Sequence, residues 1–390
     1  MELMMQPLVP HSHSPQRGPQ LAVDGDGDRR QTLVVVFLRG GADGLNMVAP
    51  FEDDGYHKAR PRIAIKKENS VQLDDFFGFN PLLRELETPF KDGALAVVHA
   101  VGSEDATRSH FEAQDLMEHG GLLMSGGWLG RFLRALPEGA NGPLSAVAVG
   151  RNLPESLRGA PASTVMESLD SFSLGQKAGS MASALGKLYG LEDSALGAVA
   201  RDTLGAMKRI EKLRSEKYSP ANGAEYAYDG FSRGLRQVAR LIRARVGLVT
   251  ASVDLNGWDS HFVQSSIMDP LMPRLSKGLS AFYQDLGREM ENVTVVVMTE
   301  FGRRVYENAS FGTDHGRGSL MLVMGGGVHG GRVIADWPTL NDDVLEGPGD
   351  LPVTTNYRDI LAPALARFGV GERLDAVFPG YELKPKNLFG

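Results

Sequence analysis

A series of short apolar runs, each ending at glycine or at a polar cluster, limits this chain to a small set of folds. Leu33-Val34-Val35-Val36-Phe37-Leu38 runs into Arg39-Gly40-Gly41-Ala42-Asp43-Gly44. Leu95-Ala96-Val97-Val98-His99-Ala100-Val101 ends at Gly102, and Ser145-Ala146-Val147-Ala148-Val149 ends at Gly150. Gly247 to Leu255 leads into Asn256-Gly257, Val293 to Met298 into Thr299-Glu300, and Leu320 to Met324 into Gly325-Gly326-Gly327. Unbroken apolar runs of this length suit strands covered on both faces, as in a parallel sheet. Segments of helical period lie between them. Asn80 is placed to cap a helix through Leu86, and Thr107 to His119 reads as a second helix. Phe231 to Val246 carries Leu235, Val238, Ala239, Leu241 and Ile242 on one face. Ser276 to Met290 and Asn356 to Phe368 read as further helices. Strands alternating with helices predict an α/β fold with a mainly parallel, doubly wound sheet, whose ligands sit beyond the strand C-termini.

Composition narrows the function classes. The chain has 390 residues, 42% of them hydrophobic, enough for a large core. A net charge of −7 argues against nucleic acid or an anionic membrane as a bulk partner. With no cysteine, disulfides, thiolate-bound zinc, thiol nucleophiles and iron–sulfur clusters are excluded. No run approaches the ~18 apolar residues of a membrane span. Residues 1–30 are expected to form a disordered tail, in which His11 and His13 are given no role. Residues 31–390 are expected to form a single domain, with a helix-rich insertion at about 155–230. Arg29-Arg30 precede an apolar run, but the run is short and stops at Arg39, so it reads as a strand rather than an export signal. A cytoplasmic location is the expectation for this sequence as given.

Acidic, imidazole and hydroxyl side chains collect where those strands end. Asp43 follows the first strand, and Arg108-Ser109-His110 follow the second. Asp254, Asp259, Ser260 and His261 follow the 247–255 run; Glu300 and Arg303 follow 293–298. Gly312-Thr313-Asp314-His315-Gly316 precede the 320–324 run, so that loop must reach the same rim from its strand's opening end. Carboxylates packed together repel unless a cation is present, and oxygen with imidazole donors suits Zn, Mn, Mg or Ca. Arg39, Arg108, Arg303 and Arg317 near this rim suit an anionic substrate. Each member also has an ordinary reading. Asp43 is a turn former, Ser109 an N-cap, Glu300 and Arg303 an ion pair, and Asp259 to His261 a loop hydrogen-bond network. Gly40 to Gly44 lacks the dinucleotide fingerprint spacing, and Gly325 to Gly331 reads as a turn. The gathering of all these groups on one rim outweighs the separate readings.

Phe-Leu-Arg-Gly-Gly-Ala-Asp-Gly-Leu-Asn (37–46), Ser-His-Phe-Glu-Ala-Gln-Asp (109–115), Gly-Trp-Asp-Ser-His (257–261), Thr-Glu-Phe-Gly-Arg (299–303) and Gly-Thr-Asp-His-Gly (312–316) resemble an uncharacterised bacterial family. That family belongs to the alkaline-phosphatase-like superfamily, with sulfatases and cofactor-independent phosphoglycerate mutases, and the resemblance spans about 32–380. It implies a three-layer α/β/α sandwich with a mainly parallel central sheet and a metal site at the strand C-termini. By motif, Asp43, Asp259, His261, Asp314 and His315 would hold one or two divalent cations. Ser109, His110, Glu300 and Arg303 are the catalytic candidates: nucleophile or anion binder, ligand or acid/base, ligand or base, and clamp. The chain departs from the superfamily at Phe301, which replaces a strand-end ligand, and from relatives at Asn256, where they carry histidine. Many relatives also carry a twin-arginine signal.

Two functional expectations follow. One is a metal-dependent hydrolase or transferase acting on a phosphate or sulfate ester, with an anionic small molecule as partner. The other is a degenerate member that binds a ligand or partner without turnover. A structural subunit of a secreted assembly is a weaker third. The oligomeric state has no signature in the sequence.

Overall fold

A computed structural model describes residues 31–121, 126–170 and 194–390. The expected tail, with His11, His13 and Arg29-Arg30, lies outside the described residues, as does part of the 155–230 segment. The strands of the main sheet are β1 (Thr32–Arg39), β2 (Leu95–Gly102), β3 (Ala146–Val149), β4 (Thr164–Met166), β5 (Thr250–Asn256), β6 (Val293–Met298), β7 (Ser319–Gly325), β8 (Arg332–Ile334) and β9 (Thr355–Asn356). The principal helices are α1 (His110–Glu118), α2 (Trp128–Ala135), α3 (Ala195–Ser215), α4 (Gly230–Arg243), α5 (Gln264–Leu286) and α6 (Tyr357–Leu365).

The nine-stranded sheet runs β8-β2-β7-β6-β1-β5-β3-β4, with β9 added beside the end of β2. Strand β1 is central and parallel to both neighbours, Phe37 lying opposite Asp254 of β5 and Met298 of β6. Period-two alternation divides β1 between two cores. Val34, Val36 and Leu38 face α4 and α5, through Leu235, Val238, Leu275 and Phe282. Leu33, Val35 and Phe37 face α2 and α6, through Phe132, Leu133, Tyr357 and Ile360. That is a three-layer α/β/α arrangement with a mainly parallel sheet. Ala206 and Ile210 of α3 belong to the first of these cores, so this part of the 155–230 segment is packed on the main domain.

Some local expectations change. Strand β7 is antiparallel to both β2 and β6. A periodicity argument cannot see strand direction, because an apolar run reads the same either way. The reversal brings the start of β7 to the edge where β1, β5 and β6 end, and sends Gly325 to Gly331 to the opposite edge. Helix α5 begins at Gln264 and continues through Pro270 and Pro273, where the sequence suggested a start near Ser276. Proline weakens an isolated helix, but burial of Met268, Leu271 and Met272 holds this one in place. Helix α1 starts at His110 rather than Thr107, because Asp105 accepts the Thr107 N–H and turns the chain first.

Candidate metal centre

Five loops meet at the rim, and two glycines allow them to come close. Gly40 adopts φ +120°, and a Cβ there would lie 2.7 Å from the Asp259 backbone nitrogen. At Gly312 it would lie 2.2 Å from the His261 carbonyl oxygen. Both contacts forbid any side chain. The loops after β1, β5 and β6 and before β7 therefore pack backbone against backbone.

Three imidazoles point into this junction, and each has one nitrogen already engaged. His110 Nδ1 lies 2.8 Å from Glu300 Oε1. His315 Nδ1 lies 2.7 Å from the Arg108 carbonyl oxygen, and His261 Nδ1 is 3.3 Å from Asp314 Oδ1. A carbonyl or a carboxylate can only accept, so Nδ1 is the donor in neutral His110 and His315, whereas His261 faces a carboxylate with both nitrogens, Nε2 lying 3.1 Å from Asp259 Oδ1. The Nε2 lone pairs of His110 and His315 then face inward. His261 Nε2 and His315 Nε2 are 2.9 Å apart. His110 Nε2 is buried and has no hydrogen-bond partner. Among the described residues, His110, Asp259 and His315 offer donor atoms all within 4.8 Å of one another.

Asp259 is the carboxylate these nitrogens share. Its Oδ2 lies 3.5 Å from His110 Nε2, and its Oδ1 lies 3.1 Å from His261 Nε2 and 3.4 Å from His315 Nε2. Partial burial opposes its charge, yet the Arg303 guanidinium, aided by His261 and His110, brings the carboxyl down to about 2. Burial holds the His315 imidazole below the usual histidine range, against the pull of the Arg108 carbonyl and with Arg303, His110 and His261 adding to it. A neutral His315 imidazole beside an ionised Asp259 is the protonation state a cation requires.

The acids behind the histidines act as anchors. Glu300 Oε1 accepts from Gly40 N–H at 2.9 Å, His110 at 2.8 Å and Gln114 Nε2 at 2.8 Å. Burial opposes ionisation of Glu300, but these hydrogen bonds hold it below the usual carboxylate range. Asp314 is also held low, against partial burial, by Asn308, His261 and Arg304. Phe301 lies beneath the cluster, its ring centroid 4.9 Å from those of both His110 and His315. A phenyl there cannot ligate, but it fixes the planes of two rings that can.

Other expected site residues are placed differently. Asp43 is fully buried away from the imidazoles, with Oδ2 2.6 Å from Arg60 Nη1 and 2.9 Å from Gln264 Nε2, and Oδ1 3.1 Å from Arg60 Nη2. Arg303 was expected as an anion clamp; its guanidinium is wholly buried and donates to the carbonyls of Gly41 and Thr313 and to Asp259. It positions Asp259 and the β1 loop. Arg39 is taken up by Asp254, Gln114 and Glu118, and Arg317 by Glu346 and the Ser103 carbonyl. Arg108 pairs with the buried Asp350 and remains partly exposed. Ser109 is exposed at the N-cap of α1, and its side chain makes no capping hydrogen bond. Asn256 is exposed at the end of β5. Arg60, Gln114 and Gln264 escaped the sequence reading. Gln114 lies inside the 109–115 motif and was legible there, whereas nothing local marks Arg60 or Gln264.

Bulky apolar groups surround the opening. Phe111 is 85% exposed and Phe262 70%, each following a site histidine in the chain. Val263 and Phe311 are also exposed and have φ of 40° and 59°, a conformation bulky residues rarely adopt. The Val263 N–H donates to Ser310 O and the Gln264 N–H to Phe311 O, which ties these two loops together.

Among solved structures, the chain is similar to the C-terminal periplasmic domain of EcEptC from Escherichia coli in complex with Zn. The identity is 11% over 77% of this chain and 74% of that one, at a TM-score of 0.37. It is also similar to Ps i-CgsB in complex with k-i-k-neocarrahexaose, at 10% identity over 92% and 75% and a TM-score of 0.39. The alkaline phosphatase of the Antarctic bacterium TAB5 matches at 9% identity over 78% and 95%, with a TM-score of 0.32. No curated protein matches in sequence. A family model, described as a protein of unknown function (DUF1501), matches residues 30–374, and the chain belongs to that family.

Proposed function

We propose that this protein is a metal-dependent hydrolase or transferase for phosphate or sulfate esters. One observation carries the reading: His110, Asp259 and His315 bring two imidazole nitrogens and a carboxylate within 4.8 Å of one another, and acceptors hold the Nδ1 protons of both rings. His261 Nε2 adds a third nitrogen 2.9 Å from His315 Nε2, a contact that a cation or a shared proton would hold. The buried, unpartnered Nε2 atom of His110 supports the same conclusion. His110, His261, His315 and Asp259 would hold the ion, and Glu300, Asp314 and the Arg108 carbonyl would orient the rings. A bound divalent ion would supply Lewis-acid polarisation of a phosphoryl or sulfuryl oxygen.

Ser109 is the nucleophile in this reading, with its hydroxyl free of capping and next to His110 in the chain. Its Oγ forms a bond to phosphorus or sulfur as the bond to the leaving alcohol oxygen breaks. The hydroxyl proton passes to solvent, and the alcohol takes one up. Water then cleaves the seryl ester and releases the anion. The exposed Phe111, Phe262 and Phe311 suit a leaving group with a broad apolar face.

The test pairs metal analysis with a screen of aryl phosphates and aryl sulfates. Wild type is expected to copurify with a transition metal and turn over one ester class. Ser109→Ala should abolish turnover but keep the metal, and His315→Ala should lose both. Turnover unchanged in both variants would end this assignment. Metal bound with no turnover of either class would favour the second reading, a ligand-binding member. The observation behind that reading is that Arg303 and Asp43 are both internally paired.

A further inference from the structure

Away from the rim, we infer that a cleft between the C-terminal end of α3 and helix α4 binds a hydroxylated phosphate monoester, of the polyol-phosphate kind. The cleft has a volume of about 370 Å³, within the roughly 300–1,000 Å³ of ordinary small-molecule sites. None of its lining residues belongs to the rim. Helix α4 leads into β5, and its Gly234 packs on Val149 and Val253. Gln237 and Arg240 lie further along α4, toward the edge of the sheet where β5 begins, whereas the metal centre lies where β5 ends. The cleft is a separate site, independent of the geometry at the rim.

Its walls are fixed by the protein's own contacts. The buried Arg240 guanidinium closes the end of α3 by donating to the carbonyls of Leu213 and Glu216, and it holds Asp170 at 3.2 Å. The Tyr218 hydroxyl lies 2.7 Å from Oδ2 of Asp285, a fully buried carboxylate that also accepts from the Tyr226 hydroxyl and the Ala221 N–H. The Arg236 guanidinium lies 5.7 Å from the centroid of the Tyr218 ring and donates from Nη2 to the Tyr218 carbonyl at 3.0 Å.

What remains open in this frame defines the ligand. Among the described residues, the side chains of Arg214 and Lys217 have no ion pair or hydrogen bond, and Arg236 keeps N–H groups beyond its one bond to Tyr218. Asp170 is neutralised by Arg240, so Glu216 is the lining acid left against these three cations, in a chain whose net charge is −7. Clustered guanidinium and ammonium groups without a counter-charge suit a phosphate dianion. Gln237 adds a second requirement. It is 7% exposed, yet its Oε1 is buried without a hydrogen-bond partner, where buried polar atoms are nearly always satisfied. A carbonyl oxygen only accepts, so its partner must donate. A phosphate dianion cannot donate, and the three cations would repel an ammonium group. A neutral hydroxyl on the same molecule meets the condition.

The test is a calorimetric titration of the full chain carrying Ser109→Ala, which has no turnover in the hydrolase reading, so that the probe survives. The probes are glycerol phosphate, glycerol and inorganic phosphate. One glycerol phosphate per chain is expected, bound about tenfold more tightly than inorganic phosphate, with no heat from glycerol. Arg214 and Lys217 are exposed, so Arg214→Gln combined with Lys217→Gln should leave the melting curve unchanged. That double variant should weaken glycerol phosphate by about tenfold or more. Gln237→Leu should weaken glycerol phosphate and leave inorganic phosphate unaffected. Absence of binding, equal affinity for the ester and for inorganic phosphate, full affinity in the double variant, or unchanged ester affinity in a folded Gln237→Leu would overturn the inference. None of these outcomes bears on the metal centre. The exposed pair decides the matter even where Gln237→Leu fails to fold.

Discussion

His99 and the rim histidines differ in a way that separates structure from site. His99 lies in the middle of β2 and is fully buried, yet both of its nitrogens are satisfied. Its Nε2 meets the Val48 carbonyl at 3.0 Å, and its Nδ1 accepts the Ala100 N–H at 2.9 Å. Phe77 stacks on the ring, and Trp337 packs edge-on at 5.0 Å. His110, His261 and His315 are less buried, and each has one engaged nitrogen and one aimed at a common point. Residue type does not distinguish the two groups; what meets the second nitrogen does. Buried polar atoms are nearly always satisfied, so the partnerless Nε2 of His110 needs an explanation.

This contrast predicts that interior substitutions change stability and spare metal binding, while rim substitutions do the reverse. The largest effect is expected at the buried ion pair. Arg60→Met leaves the Asp43 charge uncompensated and should cost about 3–5 kcal/mol in denaturant unfolding, whereas replacing both partners should cost less. His99 comes next. Burial lowers its pKa to about 4, so the folded state refuses a proton that the unfolded chain accepts below about 6.5. The wild type should therefore lose on the order of 3 kcal/mol as pH falls from about 6.5 to about 4, a slope that a folded His99→Gln would lack. An equal pH slope in both proteins would contradict the account of His99.

At the rim, Glu300→Gln keeps the side chain's shape but weakens the charged anchor of His110. Zinc affinity is expected to fall about 10–100-fold with little change in the zinc-free melting curve. A loss of stability without a loss of affinity would put Glu300 on the structural side of the comparison. The smallest effect is expected at Glu104, half-exposed and paired with Arg358. Partial burial opposes its charge, but Arg358 holds its pKa below the usual range. Its stabilisation is present above the unfolded carboxylate pKa and disappears as pH falls through the lowered folded value. Glu104→Gln should cost under about 1 kcal/mol at neutral pH, given the exposure, and nothing in acid.

Much of the rim was legible in the chain. Val293–Met298 has the bounds its β-branched run suggests, and β1, β2 and β5 end close to where glycine or a polar cluster interrupts them. Parallel topology then brings their trailing Asp, His and Glu residues to one edge. The direction of β7 was hidden, because an apolar run carries no arrow. Arg60 was hidden as well, because its partnership with Asp43 depends on how two loops fold over each other.

The sequence by itself determined the strand–helix alternation, the glycines where loops must touch, and the identity of the side chains delivered to the rim. These follow from local backbone preference and side-chain period. Only the tertiary structure decided which of those side chains keeps an open donor, as Asp259, His110, His261 and His315 do, and which is filled, as Asp43 and Arg303 are. A donor is open or filled according to the atoms that approach within about 3 Å of it, and those come from distant parts of the chain.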